Sequence, residues 1–198
     1  NTMGVITGDG GFGFLIYFNK QETLATNLLF AQISFAIAMQ KINGHFILKF
    51  FDTFTKSTID LIYLLGTMYK NVYIIKPHSS RLANSEKYIV CKYFKGDNNI
   101  LSKIFSQYNK LNEYSNISSI LNFNIDNYFN NKLEEINAIF GQLQIENINS
   151  TLNLINNKAK NDKLDVLKKS NVQKCIYWCE KHSIQHNKNS INTNIFIN

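Results

Sequence analysis

The sequence has 198 residues, of which 44% are hydrophobic and 13% aromatic, so the chain can fold around one core with an appended segment or as two small domains. Its longest apolar run, residues 33–39 with one serine inside, is shorter than the about 20 residues that cross a bilayer, and no basic-then-apolar leader opens the chain. Three cysteines, two of them four residues apart, do not resemble a disulfide framework. These features predict an intracellular protein without a membrane partner.

The formal charge of +7 is concentrated in the first half of the chain. Residues 1–96 carry 10 Lys and Arg against 5 Asp and Glu, a net +5, whereas residues 97–198 carry 11 against 9, a net +2. A basic excess favours a polyanionic partner such as nucleic acid. A chain rich in Asn, Ile and Lys is also typical of an AT-rich genome, so the charge is weak support.

Strand and helix patterns alternate through the first 96 residues. In chain order they predict a strand ending in VITGDGG, a helix over 23–42, strands over 45–51 and 71–76 on either side of a helix over 56–69, and a strand over 86–94. A capping box of Asn19 and Glu22 precedes the first helix, and Gly44 follows it. The alternation predicts an α/β fold with mostly parallel strands.

The last two predicted strands are separated by the nine residues 77–85, too few for a crossover helix. We therefore expect the final strand to run antiparallel and to insert beside the strand that contains Lys49. The ligand crevice of such a sheet lies outside the carboxyl ends of its parallel strands. Asp9 follows the first strand, Lys49 lies near the end of the second, and Glu86 begins the reversed strand, so these three charged groups are expected to converge there.

Residues beyond Gly96 are Asn-rich, with helical periodicity over 99–111, 125–154 and 162–182. We predict an α/β segment over 1–96, a helical extension over 97–186 packed on it, and a disordered tail over 187–198.

The glycines of GDGGFG, residues 8–13, have the G-x-G-x-x-G spacing of dinucleotide-binding loops. That fingerprint needs a helix immediately after the loop and an acid about 20 residues later, whereas FLIYFN intervenes here and no acid lies near position 30. The alternatives are glycines for a tight turn, or glycines that let the backbone project Asp9 into the crevice. The role of Lys49 also has two alternatives. A lysine between Leu48 and Phe50 either reaches solvent or, when it is desolvated, is a candidate base.

Cysteines and histidines near the end of the chain suggest a zinc site at first sight. They are spaced C-x3-C-x2-H-x3-H, as Cys175, Cys179, His182 and His186. A zinc finger normally takes its ligand pairs from separate elements, whereas the first three of these residues share one helix face. We therefore expect a core-facing helix with Trp178 packed inward, and no metal.

Three motifs in the first half carry a resemblance to a known family. They are DGGF (residues 9–12), GHFILKFFDTFT (44–55) and SSRLANSEKYIVCK (79–92). Together, with 40 positions from Asp9 to Lys49 and 37 from Lys49 to Glu86, they resemble the FtsJ-like (RrmJ-type) ribose 2'-O-methyltransferases, in particular the cap-specific mRNA (nucleoside-2'-O-)-methyltransferases. The resemblance implies a Rossmann-like fold dependent on S-adenosylmethionine, of which this chain holds the C-terminal part, with a methyl group transferred to a ribose 2'-OH next to the cap of mRNA.

The resemblance also implies site residues. The family uses a Lys-Asp-Lys-Glu tetrad, whose second, third and fourth members match Asp9, Lys49 and Glu86, with Lys49 as base or orienting group. Its RNA-contacting positions match Asn19, Lys20, Gln21 and Asn84. The first lysine and most of the cofactor site are expected upstream of Asn1, so a non-catalytic RNA-binding or structural remnant is the alternative.

The resemblance also implies binding partners and a cellular location. Capped mRNA is the expected partner, with other capping or transcription machinery allowed. A eukaryotic source would place the protein in the nucleus, and a large DNA virus would place it in the host cytoplasm or the virion.

Overall fold

The computed structural model describes residues 3–10, 21–108, 117–156 and 161–185. The chain forms two compact units, Asn1–Asn147 and Ile148–Asn198. The first unit contains the sheet, and the second begins within a long helix. The predicted division after residue 96 stays a prediction, and the predicted tail over 187–198 lies outside the described residues.

Four strands of the described residues form one mixed sheet. They are β1 (Met3–Gly8), β2 (Gln40–Phe50), β3 (Tyr69–Ile75) and β4 (Lys87–Phe94). The spatial order is β1-β2-β4-β3, with β1 parallel to β2 and β4 antiparallel to both of its neighbours. The predicted α/β fold is confirmed, as is the prediction that the last strand reverses and inserts beside the strand of Lys49.

Five helices lie in the described part of the chain. They are α1 (Gln21–Met39), α2 (Lys56–Met68), α3 (Asn98–Tyr108), α4 (Asn127–Asn156) and α5 (Asn161–Lys181). α1 ends three residues before its predicted end, because Gln40 already belongs to β2. The buried Gln40 amide donates to the carbonyl oxygens of Met3 (3.0 Å) and Gly4 (3.3 Å) and accepts from the Tyr69 hydroxyl (3.1 Å). The Gln40 side chain therefore links the start of β2 to β1 and to the start of β3.

The core lies between α1, α2 and one face of the sheet. Ile33, Ala36 and Ile37 of α1 are almost completely buried, as are Phe46 and Leu48 of β2. Contrary to the sequence expectation, α1 is long and apolar enough to cross a membrane by length and composition alone. Its burial against the sheet is nevertheless that of a core helix.

The start of α2 is held by side chains. Thr55 is the N-cap and its hydroxyl accepts from the backbone N–H of Thr58 at 3.4 Å. The Glu22 carboxylate accepts from the backbone N–H groups of Phe54 (2.9 Å) and Thr55 (2.8 Å). Glu22 therefore joins α1 to the loop that follows β2, while its predicted capping partner, Asn19, lies outside the described residues.

In the second unit, α5 exposes most of its side chains. Trp178 is 47% exposed, and its ring contacts His182 with 4.6 Å between centroids. The expectation that Trp178 packs inward is therefore wrong: its neighbour is a histidine of the same helix rather than a core. Cys175 and Cys179 are free thiols.

Candidate active site

Asp9 and Lys49 meet at the carboxyl edge of the two parallel strands. Gly8 is the Cα partner of Leu48, so the next residue on each strand, Asp9 and Lys49, lies just beyond the paired region. The Asp9 carboxylate forms an ion pair with the Lys49 ammonium, and the two side chains are 65% and 18% exposed. Asp9 and Lys49 converge as the sequence predicts, because the parallel register ends both strands at the same edge.

The pKa of Lys49 is raised above its ordinary value. The largest cause is the hydrogen bond with Asp9; partial burial opposes it, and the charge of Asp9, then those of Glu86 and Tyr88, raise the pKa further. The ammonium is therefore charged at neutral pH.

Glu86 arrives at the same edge from the opposite direction. Because β4 runs antiparallel to β2, Tyr88 is the Cα partner of Lys49, and Glu86 lies two residues earlier on the same side. The Glu86 carboxylate accepts from the hydroxyls of Tyr88 (3.1 Å) and Ser80 (3.4 Å). Lys49 thus pairs directly with Asp9, whereas Glu86 acts on it through longer-range Coulombic attraction.

Tyr88 is a member of the site that sequence reasoning did not identify. Its pKa is raised by burial first, then by its hydrogen bond to Glu86 and by the charges of Glu86 and Asp9. The signal was available, since residues i and i+2 of a strand share a face. A tyrosine two positions after a predicted carboxylate was therefore a candidate partner.

Lys76, just after β3, is the second residue that sequence reasoning missed. Its ammonium donates to the carbonyl oxygen of Asn84 (2.8 Å), to the Asn84 side-chain oxygen (3.0 Å) and to the carbonyl oxygen of Glu86 (2.7 Å). Burial lowers the pKa of Lys76, and the charge of Glu86 partly opposes this effect. Lys76 therefore contacts two predicted site residues.

The other predicted RNA-contacting positions lie at the start of α1 and in the two residues before it. Gln21 is the first residue of α1 and is half-buried. Asn19 and Lys20 lie outside the described residues. The structure thus brings Asp9, Lys49 and Glu86 together, with Asn84 two residues before Glu86.

The glycines around Asp9 allow a close approach between the backbone and α1. A Cβ atom added at Gly8 would lie 2.7 Å from the side-chain oxygen of Gln32 and 2.9 Å from Leu48. A Cβ atom at Gly10 would collide with the Gln32 amide nitrogen. A side chain at either glycine would therefore require the Gln32 side chain to move. The alternatives given for these glycines stay predictions, and Gly13 lies outside the described residues.

Comparison with known proteins decides the family. Residues 1–94 match the model of the FtsJ-like methyltransferase family. These residues belong to that family. The match contains β1 to β4, and hence every described residue of the candidate site.

Relatives of the FtsJ-like segment include methyltransferases of mRNA caps. The chain is 37% identical over 149 residues to mouse cap-specific mRNA (nucleoside-2'-O-)-methyltransferase 1, covering 71% of this chain and 18% of that protein. The human protein of the same name is 40% identical over 118 residues, covering 59% and 14%. Cap-specific mRNA (nucleoside-2'-O-)-methyltransferase 2 of Pongo abelii is 30% identical over 190 residues, covering 93% and 24%. The chain thus spans less than a quarter of the length of each of these relatives.

A solved structure assigned to a ribosomal RNA methyltransferase of Plasmodium falciparum is 26% identical to this chain. The match covers 47% of each chain, with a TM-score of 0.38.

Two cavities among the described residues are candidate places for a cofactor or metal. A cavity of about 480 Å³ lies between the α2 start and α4, lined by Thr53, Asp60 and Asn137 among others, and a second of about 40 Å³ is lined by Lys76, Asn84 and Lys87 among others. Neither includes Asp9 or Lys49. No cluster of three His, Cys, Asp or Glu side chains with metal-binding geometry occurs among the described residues.

Proposed function

We propose that this chain carries the catalytic edge of an RNA ribose 2'-O-methyltransferase that acts next to the cap of mRNA. The observation that supports it most directly is the Asp9 and Lys49 ion pair, with Glu86 attracting the same ammonium from the neighbouring strand. The arrangement matches the last three members of the family tetrad in kind and in order. The capped substrate is supported by the names of the relatives.

FtsJ-like methyltransferases use S-adenosylmethionine, which supplies when bound the methyl group that is transferred to the ribose 2'-oxygen. The described residues fit this cofactor at one end. Asp9 presents a carboxylate that is 65% exposed, suited to the positive sulfonium group. No described residue is assigned to the adenosine end.

Lys49 serves in this proposal as a hydrogen-bond donor to the 2'-oxygen rather than as a base. Two carboxylates raise its pKa, so the amine is protonated and has no lone pair with which to accept a proton. The ammonium instead orients the 2'-oxygen and stabilises its negative charge as the hydroxyl proton leaves to solvent. Asp9 and Glu86 hold the ammonium in place.

The experiment is methyl transfer by the complete protein from radiolabelled S-adenosylmethionine to capped RNA, with the product located by nuclease digestion and mass spectrometry. We expect a 2'-O-methyl group beside the cap. Lys49→Met should lower kcat about 100-fold or more, as expected for loss of a donor to a developing oxyanion. Lys70→Met is the matched control, because Lys70 is an exposed lysine of β3 outside the site. Retention of most activity by Lys49→Met would contradict the role of Lys49.

A non-catalytic RNA-binding remnant is the second candidate. The observation that favours it is the basic excess of residues 1–96, a net +5, which suits a polyanionic partner whether or not methyl transfer occurs. Equilibrium dialysis with S-adenosylmethionine distinguishes the two candidates. RNA binding without cofactor binding by the complete protein would support the remnant.

We also propose a cellular location for the protein. An intracellular, reducing compartment is supported by three cysteines that are all free thiols, Cys91, Cys175 and Cys179.

A further inference from the structure

The three hydrogen bonds of Lys76 close the loop between β3 and β4. Lys76 stands just after β3, and its acceptors belong to Asn84 and Glu86, just before β4. An ammonium has three N–H donors, and three acceptors of this one loop lie within hydrogen-bond distance of it. Inside the loop, the backbone N–H of Ser80 donates to the Pro77 carbonyl at 2.9 Å. The ends of residues 77–85 are therefore fixed to each other by one side chain.

Lys76 also determines which way the Asn84 amide faces. An ammonium donates hydrogen bonds and accepts none, so the Asn84 atom that lies 3.0 Å from it must be the carbonyl oxygen. The assignment of oxygen and nitrogen, which is ambiguous for an isolated asparagine, is therefore settled by chemistry. The amide NH2 group, with two donors, points away from Lys76 and has no hydrogen-bond partner among the described residues.

The same lysine connects Asn84 to the charged site. Its third bond holds the Glu86 carbonyl oxygen at 2.7 Å, while the Glu86 carboxylate is held by Tyr88 and Ser80. The backbone of Glu86 is thus fixed from one side and its side chain from the other. Displacing Lys76 would release both the Asn84 amide and the main chain that carries Glu86.

We propose that Lys76 is a positioning residue that presents the Asn84 NH2 group as a hydrogen-bond donor to an acceptor oxygen of the RNA substrate and fixes Glu86 beside Lys49. The inference rests on the proposed function for its substrate. Asn84 then recognises a phosphate, hydroxyl or base carbonyl oxygen, and discriminates against a donor at that point. Lys76 touches neither the substrate nor the reacting atoms.

The first test measures RNA binding by fluorescence anisotropy with a labelled capped oligonucleotide and the complete protein. Asn84→Asp keeps the oxygen that faces Lys76 but replaces the NH2 group, and we expect its Kd to rise about tenfold or more. Because the added charge also repels RNA, the comparison is repeated at high salt, where charge repulsion is screened. A loss that persists at high salt supports a missing donor. A Kd equal to that of the unmodified protein at high salt overturns the role given to Asn84.

The second test measures methyl-transfer kinetics for Lys76→Met, Lys76→Arg and the control Lys70→Met. We expect Lys76→Met to raise KM for RNA and lower kcat, each about tenfold, because Asn84 and Glu86 are both released. Lys76→Arg, which keeps charge and several donors, should recover part of both losses, and Lys70→Met should change neither. Unchanged KM and kcat in Lys76→Met would overturn the proposal, as would equal losses in Lys70→Met.

Two controls separate this inference from the proposed function and from misfolding. If the unmodified protein transfers no methyl group to capped RNA, the proposed function fails, whereas an active protein that tolerates Lys76→Met defeats the inference alone. The side-chain NH2 resonance of Asn84, assigned by NMR, should shift and exchange faster with water in Lys76→Met. An unchanged resonance would show that Lys76 does not hold the amide, independently of activity.

Discussion

Lys49 and Tyr88 are direct Cα partners in the pairing of β2 with β4, so their side chains leave the same face of the sheet. The Tyr88 hydroxyl donates to Glu86 at 3.1 Å. Tyr88 therefore lies opposite Lys49 on the neighbouring strand and binds the Glu86 carboxylate, which attracts Lys49. The pairing of β2 with β4 thus explains how a residue outside the family tetrad contributes to the site.

Tyr88→Phe removes that hydroxyl and keeps the ring. Hydrogen bonds to charged groups contribute about 1.5–3 kcal/mol to stability, so we expect a lower urea midpoint. We also expect kcat/KM for methyl transfer to fall about tenfold, because Glu86 is held less firmly beside Lys49. Tyr73→Phe is the control, because Tyr73 is an exposed tyrosine of the adjacent strand β3. Equal kinetics for the unmodified protein and Tyr88→Phe would show that Ser80 alone holds Glu86 adequately.

Asp9→Asn should lower the pKa of Lys49, since the hydrogen bond and charge of Asp9 are leading causes of its elevation. Because the pKa of Lys49 is raised in the folded state, the pair stabilises the fold below the ordinary lysine pKa of about 10.4. That contribution is lost as the pH rises through the higher folded value. Carbon-13 NMR titration of the lysine Cε resonances measures the shift.

Lys132 is the internal control in the same titration. Its pKa is raised by Glu135, 2.8 Å away on α4, so it should titrate identically in both proteins. If Lys49 also titrated identically, the ion pair with Asp9 would not form in solution.

The buried carboxylate of Asp60, in α2, is expected to make a large contribution to the stability of the fold. Its buried side chain accepts from the backbone N–H groups of Ile120 (2.8 Å) and Leu121 (3.1 Å) and from Ser119. Asp60→Ala leaves both N–H groups without this acceptor, and we expect a loss of about 2–4 kcal/mol in the free energy of unfolding, measured with urea. Asp165→Ala is the control; Asp165 is exposed and 3.9 Å from Lys168, so little change is expected.

The same carboxylate gives a pH dependence with a defined sign. Burial raises the pKa of Asp60, but the hydrogen bonds from Ile120, Leu121, Ser119 and Lys56 outweigh it, and the net pKa is lowered. A lowered pKa means that the stabilisation is present above the ordinary value of about 3.9 and is lost as the pH falls through the folded value. The unfolding free energy should therefore fall more steeply at low pH in the unmodified protein than in Asp60→Ala. Parallel curves would contradict the assignment.

Hydrophobic periodicity and loop length were sufficient to predict the order of elements and the reversed strand. The meeting of Asp9 with Lys49 followed from parallel register, which requires only that two strands end together. The contacts of Lys76 could not be predicted in this way, because they depend on the path of residues 77–85, which no periodic pattern specifies. The prediction that Trp178 packs inward is wrong for a related reason. An apolar stripe indicates that a helix face can be buried, but it does not identify what covers that face.

Two glycines give opposite expectations for the same substitution. Gly66 lies in α2 with open space where a Cβ atom would be placed, so Gly66→Ala should increase the free energy of unfolding by about 0.5–1 kcal/mol. Gly96 has a φ of +75°, and a Cβ atom there would collide with Ile42. Gly96→Ala should therefore decrease the free energy of unfolding by about 1–2 kcal/mol, because the left-handed backbone is strained for alanine. Urea midpoints at an unchanged m-value measure both effects. An unchanged or higher midpoint for Gly96→Ala would show that the turn after β4 relaxes to accept a side chain, and a lower midpoint for Gly66→Ala would contradict the expectation for α2.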